Sequence, residues 1–325
     1  MDLLTQDNYL DLIENYLAQT DFPAEPELLY TPISYSLAGG GKRLRPVLLL
    51  LSHALFSEET QQALPAAAAV EMFHNFTLLH DDIMDHALLR RGKPSVYAKW
   101  GENVAILSGD AMMIVAYQLL CRVQSPRLPQ VLSVFNQTAL EVCEGQQYDM
   151  DFENRQKVSV VEYMHMIELK TSVLLAGAVV MGALLGGASE EDCRALRRFA
   201  IELGLAFQLQ DDLLDSNGDE RLGKAIGGDI LEGKKTYLMV TAMSRADEAQ
   251  REVLRSTHLD ATLTDAEKVA RVKAVYDMLD VPHLTEQQIG LRFERALAQL
   301  DAVDAPAERI ASLRAYAESL MGRQK

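Results

Sequence analysis

Two short acidic runs set among apolar residues constrain this 325-residue chain more than any other feature. The first aspartate run is Asp81-Asp82-Ile83-Met84-Asp85, and the second, with the same spacing, is Asp211-Asp212-Leu213-Leu214-Asp215. Carboxylates among apolar neighbours are costly unless cations meet them. Residues four apart share a helix face, so the outer aspartates of each run project together. Two such faces opposed across a cavity would bind hard cations and leave room for an anionic ligand.

Helical periodicity dominates the rest of the chain, and strand alternation is nearly absent. Helix-forming residues fill long segments, and proline or glycine separates them. The pattern predicts helices over 62–84, 103–123, 130–148, 160–185 and 190–214 and an irregular, glycine-rich loop over 216–233. This organisation favours an all-α fold, a single large helical bundle with a central cavity, in one domain spanning residues 1–325.

The overall charge and the apolar segments exclude several classes of protein. A net charge of −16 disfavours nucleic-acid binding, although local basic groups or bound metal still allow an anionic small substrate. Three widely spaced cysteines and an N-terminus without a signal pattern favour a reducing, cytoplasmic setting. The longest apolar stretch, 173–188, is short for a membrane span, so we expect a buried core helix and no stable membrane insertion.

Basic residues cluster at three places where an anion could bind. Lys42, Arg43 and Arg45 follow three glycines at a predicted helix start, where backbone N–H groups favour anions. Arg90, Arg91 and Lys93 follow the first aspartate run, and Lys224, Lys234 and Lys235 lie along the glycine-rich loop. Each cluster also has an ordinary alternative as a solvated turn, surface ion pair or exposed loop. His74 precedes Asp81 by two helical turns and is either structural or a hydrogen-bond donor to phosphate.

Taken together, these motifs resemble those of the trans-polyprenyl diphosphate synthases, the farnesyl and geranylgeranyl diphosphate synthase family. The similarity covers residues 37–237 and rests on five motifs in order: GGKRLRP, HDDxxD followed by RRG, a KT pair, FQxxDDxxD and GKxxGGDxxxGKxT. An isolated DDxxD motif is a weak signal, whereas the ordered set is specific.

The resemblance implies roles for individual residues. The Mg²⁺ ligands would be Asp81, Asp85 and Asp211, supported by Asp82, Asp212 and Asp215. The isopentenyl diphosphate pocket would comprise Lys42, Arg45, His74 and Arg91. The groups that hold the allylic diphosphate would be Arg90, Lys170, Lys224 and Lys234. Thr171 and Gln208 would lie near the reacting carbons and stabilise positive charge.

The same resemblance implies a homodimeric enzyme that uses three Mg²⁺ per active site, with Mn²⁺ able to substitute. It would condense isopentenyl diphosphate with C5 to C15 allylic diphosphates by 1′-4 elongation and yield C15 or C20 products, with C20 slightly favoured. Phe76, five residues before Asp81, would limit the chain length together with the smaller Thr77. Ordinary core packing is the alternative role for Phe76.

Three other functions stay open at this point. A longer-chain polyprenyl diphosphate synthase would carry the same motifs. A terpene cyclase also ionises prenyl diphosphates with Mg²⁺, but it generally replaces the second aspartate run and needs no isopentenyl pocket. A non-catalytic synthase subunit could lose the aspartates, whereas this chain has both runs.

Overall fold

The computed structural model describes residues 6–217 and 227–322, and this part of the chain is almost entirely helical. The helices, in chain order, are α1 (Gln6–Ala18), α2 (Glu27–Leu37), α3 (Leu44–Ala54), α4 (Leu64–Met84), α5 (Val96–Trp100), α6 (Glu102–Leu120), α7 (Leu128–Glu153), α8 (Val160–Ile167), α9 (Val173–Gly186), α10 (Glu190–Asn217), α11 (Gly228–Glu232), α12 (Tyr237–Arg245), α13 (Glu248–Ser256), α14 (Asp265–Met278), α15 (Val281–Gln299) and α16 (Ala307–Met321). The predicted all-α fold class is confirmed.

The long predicted helices are present, and one of them is interrupted. The segment predicted as a helix over 160–185 consists of α8, a single π-helical turn at Glu168–Ser172, and α9. Helix α8 begins with a capping box, in which the Ser159 side chain and the Glu162 side chain each satisfy a backbone N–H group of the other residue. Single π turns inside helices are frequent at functional sites, and this one carries Lys170 and Thr171.

Two local features differ from the sequence prediction. A two-residue antiparallel hairpin pairs β1 (Leu89–Arg90) with β2 (Lys93–Pro94). Its turn residues, Arg91 and Gly92, both have positive φ, at 54° and 73°, as tight hairpin turns require. The prediction of an irregular loop over 216–233 is wrong at both ends, because α10 continues to Asn217 and Gly228–Glu232 is helical. Residues 218–226 lie outside the described part of the chain.

Backbone contacts divide the chain into two compact units. Unit one contains the first aspartate run and comprises Met1–Asn136, Gly177–Leu196 and Val303–Tyr316. Unit two contains the second run and comprises Gln137–Ala176, Arg197–Ala302 and Ala317–Lys325. The expectation of one domain over residues 1–325 with a central cavity stays a prediction.

Two helical segments of the described chain are long and apolar enough to cross a membrane, a test that core helices also pass. The segment Val160–Gly186 has 72% of its apolar window buried inside the protein. Its burial agrees with the predicted core helix over 173–188, and Ala178, Val179 and Met181 are fully buried. In Glu102–Leu120 only 39% of the window is buried.

Candidate active site

The first aspartate run lies at the C-terminal end of α4. The helix ends at Met84, and Asp85 is the capping residue. Asp81 is half-buried and Asp85 is exposed, whereas Asp82 is buried, with only 4% of its surface exposed. The C-terminal end of a helix carries partial negative charge, so carboxylates there favour a nearby cation. The outer two carboxylates are therefore accessible to a ligand, and the middle one needs a partner from the protein.

Arg90 is that partner for Asp82. Its Nε and Nη2 atoms lie 2.9 Å and 2.5 Å from Asp82 Oδ1, and Nη2 also lies 3.4 Å from Asp81 Oδ2. Burial raises the pKa of Asp82, and the Arg90 guanidinium opposes that rise. The hairpin brings Arg90 back to the end of α4, since the tight turn places β1 and β2 immediately after the run. The structure thus joins a predicted diphosphate-binding residue to a predicted metal-supporting residue.

Arg91, at the tip of the hairpin, contacts the glycine loop that precedes α3. Its guanidinium donates to the Gly40 carbonyl and lies against Gly41, where an added Cβ would come within 3.0 Å of both terminal nitrogens. Gly41 also has φ of 139°, a conformation that favours glycine. Two of the sequence motifs therefore meet in unit one, and a side chain at position 41 would push Arg91 away.

Arg45 and His74, both predicted for the isopentenyl diphosphate pocket, are in direct contact. Arg45 Nη1 lies 3.0 Å from His74 Nε2. Burial, followed by Arg45, holds the pKa of His74 well below its usual 6.5, so the imidazole is neutral at pH 7. Arginine has only donors, so Nε2 accepts and the imidazole proton resides on Nδ1. Burial lowers the pKa of Arg45 to about 10, which leaves it charged, and its Nε has no hydrogen-bond partner among the described residues.

The prediction that the three cations at the start of α3 could together bind an anion is wrong for Arg43. It is buried, with φ of 44°, and its Nη1 donates to Glu71 Oε1 at 2.7 Å. Its other nitrogens donate to Glu14 Oε1 at 2.8 Å and to the Leu37 carbonyl at 2.7 Å. Arg43 therefore ties α1, α2 and α4 together, and its guanidinium is engaged within the protein and does not serve a phosphate.

The second aspartate run lies wholly within α10. Asp211 is exposed and Asp215 is half-buried, whereas Asp212 is 4% exposed. Asp212 accepts hydrogen bonds from the Tyr163 hydroxyl, from Gln208 Nε2 at 3.0 Å and from the Tyr237 backbone N–H at 3.0 Å. Burial raises the pKa of Asp212 to about 6, against the lowering effect of these donors. Sequence reasoning missed Tyr163, although it precedes Lys170 by two helical turns.

The π turn connects Thr171 and Lys170 to this network. Thr171 Oγ1 donates to Gln208 Oε1 at 3.0 Å, and Gln208 donates in turn to Asp212, so both ends of the amide are fixed. Lys170 Nζ lies 2.6 Å from Asp149 Oδ2 of α7. The turn also packs closely on Gly145, where an added Cβ would come within 2.2 Å of the Lys170 backbone nitrogen. Unit two thereby joins Thr171 to Gln208 and Asp212, two predicted residues that lie more than 35 positions later in the sequence.

The end of the glycine-rich segment returns to Asp215. The Asp229 backbone N–H donates to Asp215 Oδ2 at 3.0 Å, and the Gly227 N–H donates to the Asp215 carbonyl at 2.8 Å. Burial, followed by Asp215 and Asp212, raises the pKa of Asp229 to about 7. Lys234 Nζ lies 2.9 Å from Glu232. Lys224, also predicted for the allylic diphosphate, lies outside the described residues.

Phe76, the predicted chain-length residue, is half-buried on α4. Its ring centroid lies 5.4 Å from that of Phe73 and 4.7 Å from that of His80. The Thr77 hydroxyl donates to the His74 carbonyl at 2.8 Å. These contacts show how the two side chains are held, and the chain-length role stays a prediction.

The accessible carboxylates suit a metal that arrives with a phosphate ligand. Within residues 6–217 and 227–322, no group of three or more His, Cys, Asp or Glu side chains is placed to hold an ion by itself. Mg²⁺ commonly binds through one or two carboxylates together with substrate phosphates and water. Asp81 and Asp85 in unit one, and Asp211 in unit two, provide such partial ligand sets.

A match to a known sequence family supports one of the candidate functions over the others. The family model for polyprenyl synthetase matches residues 26–279. The chain belongs to the polyprenyl synthetase family. Members of this family generally use Mg²⁺ and act on isopentenyl and allylic diphosphates.

Individual polyprenyl synthetases match over most of their length. A geranylgeranyl diphosphate synthase of Methanosarcina mazei is 47% identical over 223 residues, which cover 68% of this chain and 69% of that protein. A short chain isoprenyl diphosphate synthase of Methanocaldococcus jannaschii is 41% identical over 254 residues, 78% of this chain and 77% of that protein. A crystal structure of a geranylgeranyl pyrophosphate synthase matches with a TM-score of 0.93 and 42% identity, and covers 99% of this chain and 100% of its own.

Proposed function

We propose that this chain is a Mg²⁺-dependent short-chain prenyltransferase that condenses isopentenyl diphosphate with C5 to C15 allylic diphosphates by 1′-4 elongation, with a C20 product slightly favoured over C15. The observation that carries the proposal is the same division of labour in both aspartate runs. In each run the outer carboxylates are accessible or half-buried, and the middle one is buried and bonded to the protein. The names of the similar geranylgeranyl diphosphate synthases support the product length.

The isopentenyl diphosphate would bind to Lys42, Arg45, His74 and Arg91. Arg45 and Arg91 supply positive charge, and the neutral His74 supplies an Nδ1–H donor, because its Nε2 accepts from Arg45. A neutral imidazole donor beside two cations can bind a diphosphate through a hydrogen bond that does not depend on a protonation near pH 7. The Arg91 contact with the glycine loop supports the inclusion of this arginine in the group.

The allylic diphosphate would bind through Arg90, Lys170, Lys224 and Lys234, with metal held by Asp81, Asp85 and Asp211. Bound Mg²⁺ would neutralise charge on the leaving diphosphate and so favour cleavage of the allylic C–O bond. Asp82, Asp212 and Asp215 would fix the local geometry through their bonds to Arg90, Tyr163 and the Asp229 N–H.

The reacting carbons would be attended by Thr171 and Gln208. The Gln208 amide donates to Asp212, so its oxygen is presented toward Thr171 and can stabilise a developing positive charge. The double bond of isopentenyl diphosphate then attacks the allylic carbon, and the departing diphosphate accepts the proton that is lost. This scheme needs no strongly basic side chain. Phe76 and Thr77 would limit the length of the growing chain.

The decisive experiment is an elongation assay. Purified protein is incubated with Mg²⁺, labelled isopentenyl diphosphate and, separately, C5, C10 or C15 allylic diphosphates, and the dephosphorylated products are separated by chromatography. We expect C15 and C20 products, with C20 slightly in excess, and we expect an excess of chelator to abolish the reaction. No elongation of any primer would overturn the proposal. Products beyond C20 would favour a longer-chain synthase, and diphosphate release without consumption of isopentenyl diphosphate would favour a cyclase.

The active form would be a cytoplasmic homodimer in which residues 1–325 act as one domain. Helix α6 supports self-association, because Leu107 and Ile114 lie two turns apart and are 59% and 60% exposed. Light scattering on the purified protein would test this, with a monomeric mass as the contrary result.

A further inference from the structure

Unit two contains a cavity of about 1020 Å³ that neither diphosphate site uses. Its walls come from the 155–162 segment that leads into α8, from α12 and α13, and from the Thr257–Leu259 turn. None of its lining residues belongs to the proposed metal, isopentenyl or allylic groups. The volume is at the upper end of the range typical of small-molecule sites.

The rim of this cavity is basic, in contrast to the net charge of −16 of the whole chain. Its five cations outnumber its two carboxylates, and they are Arg155, Lys157, Lys235, Arg251 and Arg255 against Glu162 and Glu248. Arg155 lies 2.6 Å from Glu162, and Arg255 lies 3.3 Å from Glu248. The carboxylates therefore offset only part of the positive charge at the cavity mouth.

His258 also lines this cavity, and two nearby lysines contribute to the shift of its pKa. Burial, followed by Lys235 and Lys268, lowers the pKa of His258. Its Nδ1 atom is buried and has no hydrogen-bond partner within the described residues.

The floor of the cavity is apolar. Met239, Val240 and Leu254 line it and are no more than 6% exposed. Val158 and Met243 extend this surface, and Leu259, which is 75% exposed, adds an apolar side chain at its open edge. Methionine side chains adapt readily to flexible apolar ligands. The cavity therefore combines exposed cations at its mouth with a deformable apolar base.

We propose that this cavity binds an amphiphilic anion, with a phosphate or diphosphate head on the basic rim and an alkyl or prenyl tail on the apolar floor. Lysine and arginine recognise phosphate oxygens, and the tail gains from burial on the methionine-rich surface. Such a molecule could be a free prenyl phosphate or a lipid, and the two sources share this chemistry. This site is separate from the proposed catalytic function and does not depend on it.

Hydrogen–deuterium exchange on the full chain tests the proposal locally. The probes are inorganic phosphate and butyl, octyl and dodecyl phosphate below their micelle concentrations. We expect dodecyl phosphate to protect segments 155–162 and 237–259 and inorganic phosphate to protect neither. Apparent affinity should fall as the tail shortens, by up to about fourfold per methylene removed. The tail-length series needs no mutant, so it remains decisive if a variant fails to fold.

A matched pair of variants locates the binding. Lys157→Glu combined with Arg255→Glu reverses two exposed rim charges and should weaken dodecyl phosphate binding roughly tenfold or more. The control, Arg194→Glu with Arg198→Glu, makes the same charge change at exposed positions of α10 that do not line the cavity, and it should bind like the native chain.

Two sets of results would overturn the proposal: equal weakening in both variants, or no protection of either segment by dodecyl phosphate. Vesicles of phosphatidylglycerol distinguish the sources of the ligand. Protection of these segments by vesicles but not by dodecyl phosphate would mean that the region contacts a membrane surface and that the cavity is not a ligand site. Protection by both would support the cavity and identify lipid as one source.

Discussion

The two aspartate runs have the same spacing, but the protein compensates their middle carboxylates in different ways. Asp82 and Asp212 are equally buried, each with 4% of its surface exposed. Asp82 receives a cation, Arg90, from the hairpin that follows α4. Asp212 receives uncharged donors from α8, from α10 and from the start of α12, with Tyr163 the most deeply buried of these side chains.

This difference teaches that the DDxxD spacing determines which carboxylates are accessible but not how the protein compensates the buried middle carboxylate. An ion pair cancels the charge of Asp82, so arginine opposes the effect of burial on its pKa. Uncharged donors stabilise the Asp212 carboxylate but leave its negative charge, and the pKa rises to about 6. The first run should therefore depend on one side chain, and the second on several.

The largest expected effect on kcat comes from the outer carboxylates, which have equivalent roles in the two runs. Asp81→Asn and Asp211→Asn should each lower kcat by about a hundredfold or more, because each would remove a metal ligand worth several kcal/mol in the transition state. Steady-state kinetics across a Mg²⁺ titration would measure this. Asp110→Asn, at an exposed carboxylate of α6, is the control and should be near native. A normal rate in either run's variant would show that the two runs are not equivalent.

The middle carboxylates should differ in stability when one partner is removed. Arg90→Met leaves the buried Asp82 without its cation and should lower the free energy of unfolding by about 2–4 kcal/mol, since Arg90 itself is partly exposed. Tyr163→Phe removes one of three donors and should cost about 1–2 kcal/mol. Urea unfolding would compare them, with Arg194→Met at an exposed ion pair as a control that changes little. A larger loss for Tyr163→Phe would reverse the proposed contrast.

The sequence predicts the elements that hold these runs better than the partners within them. The long helices follow from apolar periodicity and breakers, which act locally. The sequence pattern did not predict the hairpin, because four strand residues are too few to show alternation, although Arg91-Gly92 is a suitable turn. The sequence did not predict the π turn at Glu168–Ser172, because its residues have an ordinary helical composition and its close packing on Gly145 is a long-range contact.

The charged residues show a further limit of sequence reasoning. Arg43 and Arg45 stand two positions apart in one motif, yet Arg43 pairs with Glu71 and Glu14 while Arg45 contacts His74. A basic residue type indicates charge but not the long-range partner, and Glu71 is 28 residues away in sequence. For the same reason, the sequence did not indicate a role for Tyr163, because its partner Asp212 lies 49 residues away.

The pH dependence of stability provides a smaller test of the same contrast. The pKa of Asp212 is about 6 in the folded chain, against an ordinary value of 3.8. The folded state therefore binds more protons between these values, so this contribution to stability is complete below about pH 4 and is lost as pH rises through 6. Asp212→Asn should remove a decline on the order of 2–3 kcal/mol between about pH 4 and 7.

Denaturant unfolding in the presence of chelator would measure this decline without metal. Asp82→Asn is the matched variant, and we expect a smaller change because Arg90 already compensates that carboxylate. Parallel pH curves for the native chain and Asp212→Asn would show that folding does not raise the pKa of Asp212, so that the uncharged donors fully compensate its burial.

The smallest effect on rate, but a clear effect on product, should come from Phe76, which precedes the first run, and not from Gln208, which precedes the second. Phe76 packs on Phe73 and His80, whereas Gln208 is fixed between Thr171 and Asp212. Phe76→Ala should lengthen the dominant product by one or more C5 units with a rate change of less than about tenfold, because it opens apolar space. Gln208→Leu should instead slow the reaction and leave the product length unchanged, because it removes a charge-stabilising oxygen.

Chromatography of the dephosphorylated products, with initial rates from the same reactions, separates these outcomes. Phe73→Leu provides the control for Phe76, since Phe73 is fully buried and its replacement alters packing without opening the half-buried surface. An unchanged product distribution in Phe76→Ala would assign Phe76 to core packing alone. A longer product in Gln208→Leu would instead mean that the turn before the second run also limits chain length. Control of product length would then belong to both runs and not only to the first.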